Sequence, residues 1–422
     1  MSWTHVHIGA GKFGLGMVVD LCRRAGFRTI VLNRTNLNDH HPMLRDRRSY
    51  RIEYFDLPQE STNVTIGLHY YSADREENAV AFLASPSVVL LTTAITPDAF
   101  AAVAPLLADG IEQRKKLAAG PLCIMACENL PRNSQALSSH VERLLSPETV
   151  ATYFRTNVFF CNTVVDRVCS GIVSDSDGVR VDAEWFHDWI VEAPSVELEA
   201  IRMLEDADLV TLAMTPAVLQ AYETRKYWCL NGVHVAAAAY AYNYDPELIL
   251  VSVALKNNDI RSKVEALQDE LGLALRRYVE HIGVADLFPE DEIIKYNNRV
   301  LQRFCANPKD EISRILKHVD DIDETIETFT TSVWKTLLQE GLDSALRKNL
   351  VGVLKISDVR HLLSRVVERI IEPQQELLHA NRAMERLDLD DALQVIVLSM
   401  EHYARHAYAH TLRSVMQSRT TQ

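Results

Sequence analysis

The chain has 422 residues, 47% hydrophobic and 24% charged, and a formal net charge of −13 at pH 7. That length accommodates two or three ordinary domains, and the composition is globular. The acidic balance excludes a general binder of nucleic acid or anionic membrane, and the longest apolar runs fall far short of the roughly 18 residues that span a bilayer.

A short apolar strand, Thr4 to Ile8, leads directly into Gly9-x-Gly11-x-x-Gly14. The pattern then predicts a helix from about Phe13 to Ala25 and a second strand from Arg28 to Asn33. Strand, glycine turn and helix in this order form a dinucleotide-binding fingerprint. The first glycine permits the tight turn, the second admits a pyrophosphate, and the third lets helix pack closely on strand. The helix start offers unpaired N–H groups to the phosphates. Gly9, Gly11, Lys12, Phe13 and Gly14 are therefore candidate cofactor contacts. The plainer alternative is a glycine turn that only packs.

A polar excursion from Asn36 to Gly67 follows, with room for a small hairpin around Arg48 to Tyr54. Val88 to Ile95 is a continuous apolar run, as in a central strand buried on both faces. Thr96-Pro97-Asp98 should cap a helix from about Ala99 to Lys115, and Leu122 to Ala126 reads as a further strand ending in Cys127-Glu128-Asn129. Open parallel sheets bind ligands beyond the carboxyl ends of their strands, so Thr93, Glu128 and Asn129 are placed beside the cofactor. Val158 to Thr163 and a hairpin-like Gly171 to Trp189, turning at Asp177-Gly178, close the sheet region. Beyond Ala193-Pro194-Ser195 nearly everything has helical periodicity, including Ile260 to Ile282 and Leu362 to Leu377. The expected architecture is an α/β Rossmann-like domain over 1–194 and a mainly α-helical domain over 195–422.

The end of the second strand bears on the cofactor. An NAD site would place Asp or Glu there for the ribose hydroxyls, whereas this chain has Asn33-Arg34. Asn33 does not repel a 2′-phosphate and Arg34 can clamp one, which favours NADP. The alternative is NAD, with Asn33 on the ribose and Arg34 solvated or stacked on the adenine. The seven cysteines are scattered and form no CxxC pair. They read as buried free thiols of a reducing cytoplasm, and the loose Cys123/Cys127 spacing does not make a zinc site.

The second informative segment is Lys226-x4-Asn231-x2-His234. On an α-helix Asn231 would lie about 140° and His234 about 80° around from Lys226, so all three can face one side. Lysine could take a hydroxyl proton while asparagine supports a developing alkoxide. Taken alone, the segment reads more readily as a solvated lysine and a structural histidine.

These segments, with Glu128-Asn129, Asn162-x3-Asp166-Arg167 and Arg303-Phe304-x-x-Asn307-Pro308, together resemble the polyol-specific long-chain dehydrogenases, the mannitol dehydrogenase family. The resemblance implies an enzyme that interconverts a sugar alcohol and its keto-sugar without a metal. Lys226 would be the acid/base, its pKa lowered by desolvation. Asn231 and Asn162 would hold the alkoxide, and His234 would orient a substrate hydroxyl. Asp166 and Arg167 could instead form a salt bridge tying the domains together. Family members acting on a phosphorylated polyol usually carry arginine where this chain has Leu15. The basic segment after Asn307-Pro308 is thin here, and an acidic run, Asp320 to Glu327, follows. A plain polyol, a phosphorylated one and a sugar acid therefore all stay open, as does a monomer or a homodimer. The competing readings are a hydroxy-acid dehydrogenase on the same plan and a dinucleotide sensor with a dead site.

Overall fold

Strand β1 (Thr4–Ile8) pairs in parallel with β2 (Arg28–Arg34). There follow β3 (Ser49–Tyr54), β4 (Ser61–Thr65), β5 (Gly67–Tyr71), β6 (Val88–Thr93), β7 (Leu122–Ala126) and β8 (Val158–Phe160). Six of these form one wholly parallel sheet in the order β5-β2-β1-β6-β7-β8. This is the doubly wound order of dinucleotide-binding domains, and chain direction across the sheet reverses between β1 and β6. The structure is a computed structural model describing residues 3–34, 49–57, 61–71, 76–245 and 247–316. It divides into two compact units, Met1–Glu223 and Thr224–Gln422.

Central strands β6 and β7 are buried at every position, which explains their continuous apolar runs. On one face Val6, Ile8, Ile124 and Ala126 pack with Phe100, Leu107 and Ile111 of the helix Phe100–Lys116 and with Leu137 of the helix Asn133–Glu142. On the other, Val31, Cys123 and Met125 join Leu15, Val18 and Leu21 of the first helix, and Ile52 and Val181. Each fully buried aliphatic side chain contributes about 1.5–3 kcal/mol, so these two clusters fix the sheet and its carboxyl edge.

The helix after the glycine turn differs from expectation. It opens as a wide π-helical turn, Gly14–Val19, and becomes α-helical only at Asp20–Arg24. Thr96 is extended and makes no side-chain cap; Pro97 opens a 3₁₀ turn, Pro97–Ala99, that runs into Phe100–Lys116. The polar excursion does contain a hairpin, β3 with β4. It pairs with a second hairpin, β10 (Cys169–Asp175) and β11 (Gly178–Ala183), giving a sheet ordered β10-β11-β3-β4. The strand pairing continues past Ala193-Pro194-Ser195. β12 (Asp188–Glu192) lies between β9 (Thr163–Asp166) and β13 (Thr211–Ala213) in a third sheet.

Two buried cations hold the first unit. Arg167 donates to Asp20 at 2.9 Å with both side chains fully buried, so its charge is met inside this unit, by a residue of the first helix rather than across domains. Among the described residues the hydrogen-bond partners of Arg114 are backbone carbonyls. Its guanidinium donates to the carbonyls of Leu83 (3.2 Å), Ser85 (3.0 Å) and Gly120 (2.8 Å), at the amino ends of β6 and β7.

In the second unit the described elements are helices, Lys226–Gly232, Val233–Tyr244, Val251–Ala254, Asn258–His281, Glu290–Ala306 and Ile312–Leu316 with a 3₁₀ turn at Ala285–Leu287, joined by short loops. The predicted helix Leu362 to Leu377 and the acidic run Asp320 to Glu327 lie outside the described residues. Among the described residues no helix is long and apolar enough to cross a membrane. Six cysteines are buried and free, but Cys305 is exposed, because it falls on the outer face of Glu290–Ala306.

Candidate active site

At the carboxyl end of β1 the backbone of Gly9 has φ +112°, and a Cβ there would sit 2.5 Å from the Ala94 carbonyl oxygen. Only glycine fits that turn. A Cβ on Gly14 would collide with His7 Nε2 and with the Gly9 carbonyl, so the helix start lies directly on the strand. At Gly11 a Cβ would meet nothing within 4 Å. The turn is therefore closed beneath Gly9 and Gly14 and open at Gly11, the shape a pyrophosphate requires. Phe13 packs partly buried against the core, Lys12 is half-buried, and Asn33 Oδ1 accepts from Ala10 N at 3.0 Å. Asn33 thus braces the turn through its oxygen, while its amide nitrogen faces the Arg34 carbonyl at 3.5 Å. Arg34 beside it is exposed.

Beneath the turn lies a buried polar relay that sequence reasoning missed. Thr92 Oγ1 is 2.7 Å from His5 Nε2 and 2.6 Å from His7 Nδ1, and His5 Nδ1 is 3.2 Å from Thr29 Oγ1. Burial pushes His7 down to about 3 against the opposing pull of the Gly9 backbone, and burial with neighbouring His7 lowers His5 as well. Both rings are neutral at physiological pH. Alternating histidines at positions 5 and 7 of a strand are the signal that could have revealed the relay, since both side chains fall on one face.

The carboxyl ends of β6 and β7 meet at Glu128. Its Oε1 accepts from Thr93 Oγ1 (2.7 Å) and Ile95 N (3.0 Å), while Oε2 is buried with no hydrogen-bond partner among the described residues. Burial raises this carboxyl to about 6 despite those two donors. Thr93 is thus spent on Glu128, and Asn129 is exposed. Nearby, Asn133 donates to the carbonyls of Glu128 and Thr163, and Ser134 joins Ala126 to Cys161. These bonds fix the segment that carries Asn162. Its Oδ1 accepts from Gln135 N (3.0 Å) and its Nδ2 donates to Glu192 Oε2 (2.6 Å). The amide orientation is therefore set by its neighbours, and one amide hydrogen remains uncommitted. Glu192 is a second residue that the motif alone did not reveal.

In the second unit Lys226–Gly232 is a π-helical turn, not the α-helix used to place its side chains. Hydrogen bonding from i to i+5 stacks residues five apart, as i and i+4 stack in an α-helix. Lys226 and Asn231 are five apart and share a side more closely than the 140° expected. His234 follows on the α-helix Val233–Tyr244 and shares a face with Asn231 three residues earlier. Trp228, Cys229 and Leu230 are buried on the other side, Trp228 against Tyr278 at 5.6 Å, which leaves Lys226, Asn231 and His234 partly exposed. His234 Nε2 lies 2.6 Å from Asp310 Oδ2, and its ring stacks on Phe304 at 4.7 Å. Among the described residues no group of three or more His, Cys, Asp or Glu is arranged to hold a metal ion.

Residues 4–204 match the family model described as the mannitol dehydrogenase Rossmann domain. The chain is 30% identical over 323 residues to a mannitol-1-phosphate 5-dehydrogenase of Streptococcus pneumoniae, covering 74% of this chain and 77% of that protein. It is 29% identical over 318 residues to the Lactococcus lactis enzyme of the same name, covering 74% and 76%. The fold is similar to that of Pseudomonas fluorescens mannitol 2-dehydrogenase, solved as a ternary complex with NAD and D-mannitol. The TM-score is 0.59 at 15% identity, over 99% of this chain and 95% of that one.

Proposed function

This chain belongs to the mannitol dehydrogenase family of polyol oxidoreductases, and from that premise we propose that it interconverts a sugar alcohol, free or phosphorylated, and its keto-sugar by hydride transfer, with a lysine acid/base and a preference for NADP. The observation that carries the reading is the π-helical turn that sets Lys226 and Asn231 on one side, with His234 following.

Lys226 takes the hydroxyl proton during oxidation and returns it during reduction. Asn231 donates an amide hydrogen to the developing alkoxide, and Asn162 offers its one uncommitted amide hydrogen for the same purpose. His234 bonds a neighbouring substrate hydroxyl. When bound, the nicotinamide supplies the hydride acceptor or donor. The residues of the first unit fit such a group: an open backbone at Gly11, a braced turn at Gly9 to Gly14, and a buried Glu128 oxygen lacking a donor. Asn33 supports the NADP preference, since its oxygen is held by Ala10 and, among the described residues of that strand end, no carboxylate stands to repel a 2′-phosphate. Arg314, in the segment just after Asn307-Pro308, is paired with Asp310, which counts against a phosphate site there, whereas the relatives named mannitol-1-phosphate 5-dehydrogenase count for one, so the free and the phosphorylated polyol both stay in the proposal.

The test is turnover of mannitol, mannitol 1-phosphate, fructose and fructose 6-phosphate with each of NAD(H) and NADP(H), for the wild type and Lys226→Ala. The variant should lose the hydride step by several orders of magnitude while binding NADPH with unchanged affinity. Lost NADPH affinity, or turnover near the wild type, would overturn the assignment of Lys226.

A further inference from the structure

The His234 imidazole is held in two ways. Phe304 stacks on it at a centroid distance of 4.7 Å and an interplanar angle of 22°, which fixes the ring plane. Asp310 Oδ2, 2.6 Å from Nε2, fixes rotation within that plane. The Asp310 side chain is only 2% exposed, and its other oxygen accepts from Arg314 Nη2 at 2.7 Å. Its backbone is pinned too: Val251 N donates to the Asp310 carbonyl at 3.0 Å, and Ile312 N donates to the Ile249 carbonyl at 2.8 Å. Just upstream, Asn307 Oδ1 accepts from Lys309 N at 3.1 Å and shapes the turn after Pro308. Although burial works against it, the His234 and Arg314 contacts hold this carboxyl below the usual range, so Asp310 is ionised.

We infer that Asp310 is a positioning residue that fixes the Nε2–H tautomer of His234, so that His234 meets the substrate through Nδ1 as a hydrogen-bond acceptor. An ionised carboxylate can only accept, so the shared hydrogen belongs to the imidazole, and in its neutral form the ring keeps its lone pair on Nδ1. A substrate hydroxyl facing Nδ1 must therefore donate. A carbonyl or ether oxygen at that position finds no donor, and this makes His234 selective for a free hydroxyl beside the reacting carbon. The inference rests on the proposed role of His234 at the substrate.

The experiment replaces Asp310 by Asn in the full-length protein. Arg314 can only donate, so the Asn oxygen stays with Arg314 and its amide NH₂ turns to His234. The ring must then accept at Nε2 and carry its hydrogen on Nδ1. Imidazole ¹⁵N and ¹³C shifts of histidine-labelled protein, assigned with His234→Asn, should show Nε2–H in the wild type and Nδ1–H in Asp310→Asn. With mannitol or mannitol 1-phosphate as probe, kcat/KM should fall about 10²-fold, and Asp310→Glu should recover part of it. Nδ1–H in the wild type, or an unchanged tautomer in Asp310→Asn, overturns the inference whether or not the variant is active. A reversed tautomer with unchanged turnover instead defeats the reading of His234 as a substrate contact.

Discussion

Replacing Glu128 by Gln separates the cost of burying this carboxyl from its use. A carboxyl raised from an ordinary 4.5 to about 6 carries a folding penalty of about 2 kcal/mol when ionised in both states. Below pH 4.5 it is protonated in the folded and unfolded chain alike and contributes nothing. As pH rises through 4.5 to 6 the unfolded chain ionises first, and the folded state loses stability. The penalty is about 2 kcal/mol at pH 7.5 and about 0.8 kcal/mol at pH 5. Gln keeps an oxygen for Thr93 and Ile95 N and places an amide where Oε2 was. That amide carries a desolvation cost of about 1–3 kcal/mol, which does not vary with pH. The stability of Glu128→Gln relative to wild type should therefore fall by about 1 kcal/mol between pH 7.5 and pH 5, whatever the fixed offset. For a unit of this size that is about 2–4 °C in the difference of melting temperatures, read by calorimetry at both pH values. An equal difference at both, or one that grows in favour of the variant on acidification, refutes the account of Glu128.

Asn33→Asp keeps the brace on Ala10 N but sets a negative charge where a 2′-phosphate would lie. NADPH affinity, by fluorescence titration, should drop about tenfold or more while NADH affinity holds or improves; parallel losses would sink the NADP proposal. Arg114→Met strips the donors from three carbonyls in the first unit and should cost about 3–5 kcal/mol, an effect legible in urea unfolding of the full chain. A change within about 0.5 kcal/mol would mean those carbonyls find water instead.

Much of the first unit was legible because its strands obey strong rules. β6 and β7 are mostly apolar, the glycine turn follows β1 without a gap, and the β10–β11 hairpin turns at the polar Ser176-Asp177. What the sequence hid was of two kinds. One was local geometry: nothing in Lys226-Tyr-Trp-Cys-Leu-Asn231 marks i-to-i+5 bonding, because π and α turns use the same residue types. The other was long-range pairing of polar groups. Asp20 meets Arg167, Asn162 meets Glu192 and His234 meets Asp310 across 147, 30 and 76 residues, and no periodicity encodes such partners.

The parallel pairing of β3 with β11 has a kinetic consequence. Arg51 to Tyr54 register with Arg180 to Ala183, so well over a hundred residues must leave the ribosome before the β3–β4 hairpin gains its neighbour. At roughly 5–20 residues per second that interval lasts on the order of ten seconds. Throughout it, Tyr50, Ile52 and Tyr54, all destined for burial, stand beside an open row of backbone donors and acceptors. Newly made chains are thus exposed to edge-to-edge association in that window, and slow elongation between Tyr54 and Gly178 would lengthen it. Yield on expression should respond to synthesis rate and chaperone supply more than to the melting temperature of the finished protein.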